Sequence, residues 1–248
     1  MRYFIELAYN GTPFFGWQRQ PNEITVQEVL ENTLSTILKT QIEIVGCGRT
    51  DTGVHAKQFF AHFDYHYLLS DNDFNRLVYK LNSLLPKEIV VCKIFPVAEE
   101  IHARFSAVER TYSYYVITEK NPFSFPYTYR FFEKLDIELM NSAASFLLGE
   151  QDFTTFSKLH SNVNNNFCNV KVAFWEQQNE QFIFKITSNR FLRNMVRSIV
   201  GSLLFVGKGK MSVDDFQNIL QQKNRNKARV SAPAHALFLE EVKYEFMK

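Results

Sequence analysis

Residues 42–67 read IEIVGCGRTDTGVHAKQFFAHFDYHY, two runs of β-branched or aromatic residues separated by a glycine-rich segment. Short runs of this composition that are bounded by glycine are typical of β-strands, so we predict strands at 42–48 and 58–67 with a loop between them. Three of the nine glycines of the chain lie at 46, 48 and 53, around Arg49 and Asp51. The loop is therefore the first place to look for chemistry.

The segments on either side of this loop complete an α/β unit. Upstream, RYFIELAYNG at 2–11 predicts a strand, and Thr25 with Glu28 predicts a capping box for an amphipathic helix. Downstream, we expect Asp73 to cap a second helix that stops before Pro86, followed by a strand in EIVVCKIFPV at 88–97.

A second unit of the same type follows His102. Its predicted elements are a strand at 111–118, a helix at 138–148 ended by Gly149, a hairpin of 169–178 and 181–188 around Asn179, a helix from Phe191 to about Val206, a capped helix from Ser212 to Gln222, and a strand at 236–246. We therefore expect an α/β (α+β) protein of two related units, each with an antiparallel sheet and flanking helices. The predicted domains are 1–103 and 104–248, with the active cleft between them.

The composition is that of a globular protein, with 46% hydrophobic and 22% charged residues. No apolar stretch is long enough for a membrane helix, and the start of the sequence lacks a signal-peptide layout, so we expect a cytoplasmic protein without a membrane partner. The three cysteines form no CxxC pair, which argues against a disulfide framework or a zinc site.

Basic charge is concentrated late in the sequence. Residues 190–229 contain nine Lys or Arg and two Asp, although the net charge of the whole chain is only +2. Arg190, Arg193 and Arg197 are spaced so that, at 100° per residue, they would lie within about 60° of one another along one edge of the predicted 191–206 helix. Such an edge can contact phosphates, although basic runs are more often solvated surface.

The sequence of the glycine-rich loop allows several interpretations of its chemistry. Asp51 could simply cap a turn. Arg49, two residues earlier, could instead hold that carboxylate ionised or reach toward a phosphate or base. Neither GxxxxGK[ST], GxGxxG nor GxSxG occurs, and His62 with His66 has no evident third ligand, so we expect no nucleotide cofactor, acyl-transfer nucleophile or metal.

Four motifs carry a resemblance to a known family: YNGTPFFGWQRQ at 9–20, GRTDTGVHA at 48–56, HARFSAVERTYSYYV at 102–116 and FLRNMVRSIVGSL at 191–203. With EQDFTTF at 150–156 and ALFLEEV at 236–242, they resemble the tRNA pseudouridine synthase A family in order and spacing. The resemblance implies an isomerase that converts uridine to pseudouridine in the anticodon stem-loop of tRNA, at tRNA positions 38–40. It also implies the pseudouridine-synthase fold, a homodimer, and no metal or cofactor.

The resemblance further implies a role for individual residues. Asp51 takes the place of the catalytic aspartate, which attacks either ribose C1′ or uracil C6. Arg197 matches its ion-pair partner, and Tyr112 the residue that stacks on the uracil and assists proton removal. Arg49 matches the arginine that extrudes the base, and Leu237 a residue that packs against it. Arg190 and Arg193 would face the RNA backbone. Thr52 and Phe238 depart from the family pattern, which leaves the range of accepted uridines open.

Two other functions stay open. An RNA-binding or tRNA-folding protein without turnover would need the basic surface but not the combination of Asp51, Tyr112 and Arg197. A glycoside hydrolase would need a second carboxyl group about 5–10 Å from the first, and the GRTD loop supplies one. The Asn-rich segment at 161–167 has no role in any of these readings.

Overall fold

A computed structural model describes residues 1–158 and 165–247, so that 161–164 of the Asn-rich segment lie outside the described residues. The chain divides into two compact units, Met1–Val108 with Leu239–Lys248, and Glu109–Phe238. Each unit combines antiparallel strands with helices, which confirms the predicted α/β class. The last strand belongs mainly to the first unit, whereas the predicted C-terminal domain, 104–248, includes it. The assignment of folding domains stays a prediction.

The elements are numbered in chain order. The strands are β1 (Arg2–Tyr9), β2 (Ile44–Gly46), β3 (His55–Asp64), β4 (Ile89–Val97), β5 (Ala107–Ile117), β6 (Tyr129–Arg130), β7 (Gly149–Asp152), β8 (Phe167–Gln178), β9 (Gln181–Ser188) and β10 (Leu237–Tyr244). The helices are α1 (Val26–Leu38), α2 (Asp71–Leu84), α3 (Ile137–Ser145), α4 (Met195–Gly207) and α5 (Val213–Gln221). None of the described helices is long and apolar enough to cross a membrane.

The first unit is built on the strand order β4-β1-β3-β10, with β2 paired to β3. Strand β1 is antiparallel to both of its neighbours, and β2 is antiparallel to β3. Its core is aromatic, because Tyr3, Phe4, Phe59, Phe60 and Phe63 are all essentially inaccessible to solvent. Four of the 25 phenylalanines of the sequence therefore lie in this core.

Both helices of the first unit were predicted, but one cap was misassigned. Thr25 caps α1 and accepts a hydrogen bond from Glu28 N. Helix α2 is capped by Ser70 rather than by Asp73. The Ser70 side chain accepts from Asp73 N, and the Asp73 carboxylate accepts from Ser70 N at 2.9 Å. Asp73 is thus the third helical residue of a capping box, a position that also favours an acidic side chain.

In the second unit the strand order is β5-β9-β8-β7, with β6 parallel to β5. Strands β8 and β9 form the predicted antiparallel hairpin, and Asn179 in its turn has φ 54°. Helix α3 packs on β8 and on α4. The predicted 138–148 helix is too long at its end, because α3 stops at Ser145 and Gly149, at φ +91°, instead begins β7.

The predicted arginine edge of the 191–206 helix is wrong, because α4 begins at Met195. Asn194, the residue before it, has φ 65°, which breaks the helical path. Arg190 and Arg193 therefore precede the helix, and only Arg197 lies on it. Leu192 is buried although it is not helical, so that packing alone produced the apolar pattern that suggested an earlier start.

Helix α4 is the buried centre of the second unit, and Gly201 allows a loop to approach it closely. A Cβ atom added at Gly201 would lie 2.1 Å from the carbonyl oxygen of Val230. The loop is fixed there, because Ala232 N donates to the Arg197 carbonyl oxygen one turn earlier on the same helix. The contact is with backbone, which cannot move aside as a flexible side chain would.

We expect Gly201→Ala to destabilise the protein by about 1–3 kcal/mol, because the added methyl group overpacks a backbone contact. Helix propensity alone predicts instead that alanine raises the free energy of unfolding by up to about 1 kcal/mol. Urea unfolding of both proteins measures the difference. Gly48→Ala is the matched control, since a Cβ there meets nothing within 4 Å. A stabilised Gly201→Ala protein would contradict the close approach of the loop.

His62 on β3 is a buried neutral histidine of the first unit. It is 4% exposed, and its Nδ1 accepts a hydrogen bond from Ala103 N at 3.1 Å. The ring of His102 lies 4.8 Å away, centroid to centroid. Burial lowers the pKa of His62 from 6.5 to about 4, and the positive charge of Arg2 acts in the same direction. The folded protein therefore binds fewer protons than the unfolded chain in this pH range.

Because the folded-state pKa is the lower one, this histidine should cost stability as the pH falls from about 6.5 towards about 4. We expect His62→Gln, which keeps an acceptor for Ala103 N, to have a flatter stability profile over that range. The measurement is the urea midpoint of both proteins at about pH 7 and about pH 4.5. Other acid-titrating groups are common to both proteins, so equal losses would show that His62 does not titrate on unfolding.

Candidate active site

The loop that carries Asp51 joins β2 to β3 and is held by backbone hydrogen bonds on both sides of that residue. The Thr50 carbonyl oxygen accepts from Trp17 N at 3.2 Å, and the Asp51 carbonyl oxygen accepts from Val54 N at 3.1 Å. The Thr50 hydroxyl is 2.9 Å from the hydroxyl of Tyr9. The main chain around Asp51 is thus fixed while its side chain remains half-exposed.

Glycine is required at two places in this arrangement. Gly53 has φ +78° in the turn closed by the Asp51–Val54 hydrogen bond, a conformation that side-chain-bearing residues rarely adopt. Gly11 lies against the other end of the turn, where a Cβ atom would be 2.0 Å from the Val54 carbonyl oxygen. The YNG motif after β1 and the GRTDTG loop are therefore parts of one packed feature of the first unit.

Arg49 lies two residues before Asp51, on the exposed side of the loop. Its Nε donates to Gln18 Oε1 at 3.2 Å. Gln18 in turn donates from Nε2 to Gln27 Oε1 at 2.8 Å. Neither glutamine was predicted as a site residue, because a side-chain amide produces no periodic pattern or motif of its own.

Arg197 lies in the first turns of α4 and is half-buried. Its Nε donates to the Ala232 carbonyl oxygen at 2.8 Å, and Ala232 N returns a bond to the Arg197 carbonyl oxygen at 2.9 Å. One residue earlier, the Ser231 hydroxyl accepts from the Asn194 side chain at 2.7 Å. Segment 231–233 is thus anchored along the start of α4, and it orients the Arg197 side chain.

Tyr112 and Tyr114 lie on β5, and the structure gives them different surroundings. Tyr112 is half-buried, with its ring edge-on to Phe191 at 5.1 Å between centroids. Tyr114 is fully buried and donates to the Pro233 carbonyl oxygen at 2.8 Å. Burial raises the pKa of Tyr114 far above its ordinary value. Tyr114 is therefore a structural anchor for segment 231–233, which leaves Tyr112 as the accessible tyrosine of the pair.

The remaining candidate residues of the second unit lie at its loops. Leu237 is 5% exposed at the start of β10. Arg190 is half-buried, and its Nη1 lies 3.4 Å from Asn165 Oδ1. Arg193 has an exposed side chain, and its carbonyl oxygen accepts from Lys158 N at 3.0 Å. Phe191, which packs on Tyr112, was read as part of a helix stripe and not as a site residue.

The structure also places the side chains that were considered for metal or thiol chemistry. Residues 1–158 and 165–247 contain no group of three or more His, Cys, Asp or Glu side chains placed to hold a metal ion. His62, one of the two histidines considered as ligands, uses Nδ1 to accept from a backbone amide. Cys47, Cys92 and Cys168 are free thiols.

The comparisons with known proteins agree with the resemblance. The family model described as tRNA pseudouridine synthase matches residues 7–106 and 143–245. Among relatives called tRNA pseudouridine synthase A, that of Parabacteroides distasonis is 51% identical over 98% of this chain and 96% of its own, and that of Bacteroides fragilis is 52% identical with the same coverage. The relative from Borrelia duttonii is 39% identical over 97% of this chain and 98% of its own.

A solved structure titled "Crystal Structure of a Cbf5-Nop10-Gar1 Complex" aligns with 96% of this chain and 48% of that chain, with 13% identity and a TM-score of 0.39, too distant to carry a functional argument. The sequence matches need no such support, since they extend over nearly the full length of both partners. The chain belongs to the tRNA pseudouridine synthase family.

Proposed function

We propose that this protein isomerises uridine to pseudouridine in the anticodon arm of tRNA, at tRNA positions 38–40, with Asp51 as the nucleophile. Isomerisation of uridine in tRNA follows from family membership. The anticodon arm and the role of Asp51 are the further steps of the proposal. The anticodon arm is what the resemblance implies, and the observation that best supports the role of Asp51 is its turn, whose main chain is fixed through Thr50 and Val54 while the carboxylate stays half-exposed.

The proposed reaction breaks the bond between ribose C1′ and uracil N1 and forms one between C1′ and C5. The carboxylate of Asp51 adds to C1′ and is displaced when C5 bonds to C1′, or it adds to C6 and is eliminated as the C5 proton is lost. The C5 proton is then lost, and N1 ends protonated. Substrate and product have the same atoms and oxidation level, so the balance needs neither an oxidant nor a cofactor.

The target uridine must leave its stack before the carboxylate can reach it, which costs a few kcal/mol. In the proposal Arg49 assists extrusion, and Tyr112 and Leu237 hold the uracil, with Tyr112 also assisting loss of the C5 proton. The edge-on contact with Phe191 limits the orientations of the Tyr112 ring, which favours this role. Arg190 and Arg193 contact the RNA backbone from the loop before α4.

Arg197 is the proposed ion-pair partner of Asp51. Support comes from its own surroundings, because Nε is held by the Ala232 carbonyl oxygen and the side chain is only half-exposed. A guanidinium with a fixed orientation can offer its two Nη groups to a carboxylate without losing further side-chain entropy.

The proposal includes a homodimer in the cytoplasm, where tRNA is found. One chain has a formal net charge of +2, a modest attraction for a polyanion. Two chains that share one tRNA would add their basic surfaces, and a closed two-fold dimer is the commonest way to pair identical chains.

Asp51→Asn should abolish isomerisation and leave tRNA affinity within about three-fold, because the amide keeps the shape of the carboxylate and loses the nucleophile. The measurement is tritium release from tRNA carrying C5-labelled uridine, at equal tRNA occupancy of both proteins. Asp71→Asn, an exposed carboxylate at the start of α2, is the matched control. Tritium release by Asp51→Asn at the natural rate would refute Asp51 as the nucleophile. If the natural protein binds tRNA but releases no tritium, the RNA-binding alternative is favoured.

Arg197→Ala should lower the single-turnover rate by about 100-fold or more and change tRNA affinity by less than about five-fold, because its charge acts on the reacting carboxylate. Lys185→Ala, which removes an exposed cation on β9 of the same unit, is the control for general charge loss. Rates at saturating enzyme and dissociation constants are measured separately, and thermal melting checks that segment 231–233 still folds. A loss confined to affinity would place Arg197 with the phosphate-binding residues instead.

A further inference from the structure

The first unit contains a pocket beside the Asp51 loop, and Arg49 is the only one of its described lining residues that has a role in the proposed reaction. It has a volume of about 230 Å³ and is formed by the segment before α1, by β2 with the start of the loop, and by the turn after β4. The lining residues that matter here are Gln18, Gln27, Val45, Arg49 and Arg104. Arg104 belongs to the HARF motif and has no role in the reaction proposed above.

The charge of this pocket has one sign. Two of its lining residues are arginines, and none of the described residues that line it is Asp or Glu. Both arginine side chains are exposed and line the pocket, so their charges act on a ligand within it. Like charges around a depression reinforce one another and attract an anion. Planar guanidinium groups in particular match the oxygens of a phosphate.

A chain of polar side chains fixes Arg49 at the rim. Glu31 is buried on α1, where its carboxylate accepts from Ile44 N at 3.0 Å and from Gln27 Nε2 at 2.9 Å. Gln27 Oε1 accepts from Gln18 Nε2, and Gln18 Oε1 accepts from Arg49 Nε. Each amide is thereby held in one orientation, from a buried carboxylate out to the guanidinium.

This series of hydrogen bonds determines which nitrogen atoms of Arg49 are available to a ligand. Within the part of the chain that the structure describes, the bond from Nε to Gln18 is the hydrogen bond that Arg49 makes. With Nε bonded to Gln18, the two Nη groups are the donors that Arg49 can offer to phosphate oxygens. The amides of Gln18 and Gln27 are committed to one another, so they do not read a base edge.

We propose that this pocket binds a backbone phosphodiester of the tRNA strand, held by Arg49 and Arg104, and the inference rests on the proposed function. A phosphate contact carries no base information but fixes the register of the RNA on the protein. The pocket would therefore position the strand relative to the Asp51 loop, which lies in the same unit and begins at its rim.

The first test is the salt dependence of tRNA binding by Arg104→Gln. The logarithmic slope of affinity against salt should fall by about 0.7–0.9, the value for one lost phosphate contact, and affinity at low salt should fall roughly ten-fold. Arg104→Lys should restore most of the slope. Arg76→Gln removes an exposed arginine on α2 of the same unit and is the matched control. A change for Arg104→Gln no larger than that for Arg76→Gln overturns the proposal.

The second test locates the phosphate. Full-length tRNA with a single neutral methylphosphonate at each linkage of the anticodon strand is bound to the natural protein and to Arg104→Gln. We expect one linkage whose neutralisation weakens binding by the natural protein clearly more than binding by the variant, which keeps only Arg49 at that phosphate. Independent effects at every linkage would overturn a phosphate contact by Arg104. Tritium release by the natural protein is measured on the same tRNA, so that failure of the proposed reaction is distinguished from failure of the pocket.

Discussion

Trp17 stacks on Phe59 with ring centroids 4.0 Å apart, and the candidate site of the first unit depends on this packing. The indole is buried, while its backbone N–H donates to Thr50 in the Asp51 loop and its carbonyl oxygen accepts from Gln27 N in α1. Gly46 makes room for the ring, since a Cβ there would lie 2.5 Å from Trp17 Nε1. Trp17 thus connects β3 through its side chain, and the start of α1 and the Asp51 loop through its backbone.

This packing explains what the glycines of the loop do. Gly46 accommodates an indole and Gly53 supplies a positive φ, whereas Gly48 has open space around it. The density of glycines predicted a functional loop, although the loop has no phosphate-binding motif. The structure assigns two of the three to packing and turn geometry. A glycine-rich loop therefore presents Asp51 because its backbone is tightly fitted to Trp17, not because it is flexible.

The sequence predicted element types well and their ends less well. Alternation identified β8 and β9, and the cap signals identified α5, since these are local patterns with a direct physical cause. The start of α4 was missed because Phe191, which is half-buried, and Leu192, which is buried, fit helical spacing while the left-handed Asn194 separates them from the helix. Hydrophobic periodicity indicates which side chains are buried, and the side chains of a buried turn can match helical spacing as well as those of a helix.

Prediction of the site had a similar limit. The family motifs assigned candidate roles to Arg197, Tyr112 and Arg49 residue by residue, and these roles stay predictions. The groups that orient them came from the structure alone: Ala232 beside Arg197, Phe191 beside Tyr112, and Gln18 beside Arg49. These partners are distant in sequence or are uncharged amides and backbone carbonyls, so that no motif or charge pattern marks them.

The return of β10 to the first unit has a consequence for the order of folding on the ribosome. Strand β3 pairs with β1 and with β10, yet β10 is translated only after the whole second unit has emerged. Until then β3 presents unpaired backbone groups at that side, the kind of edge that invites association between nascent chains. A chaperone that shields this edge during translation would act on the first unit, although the missing strand is encoded at the other end of the message.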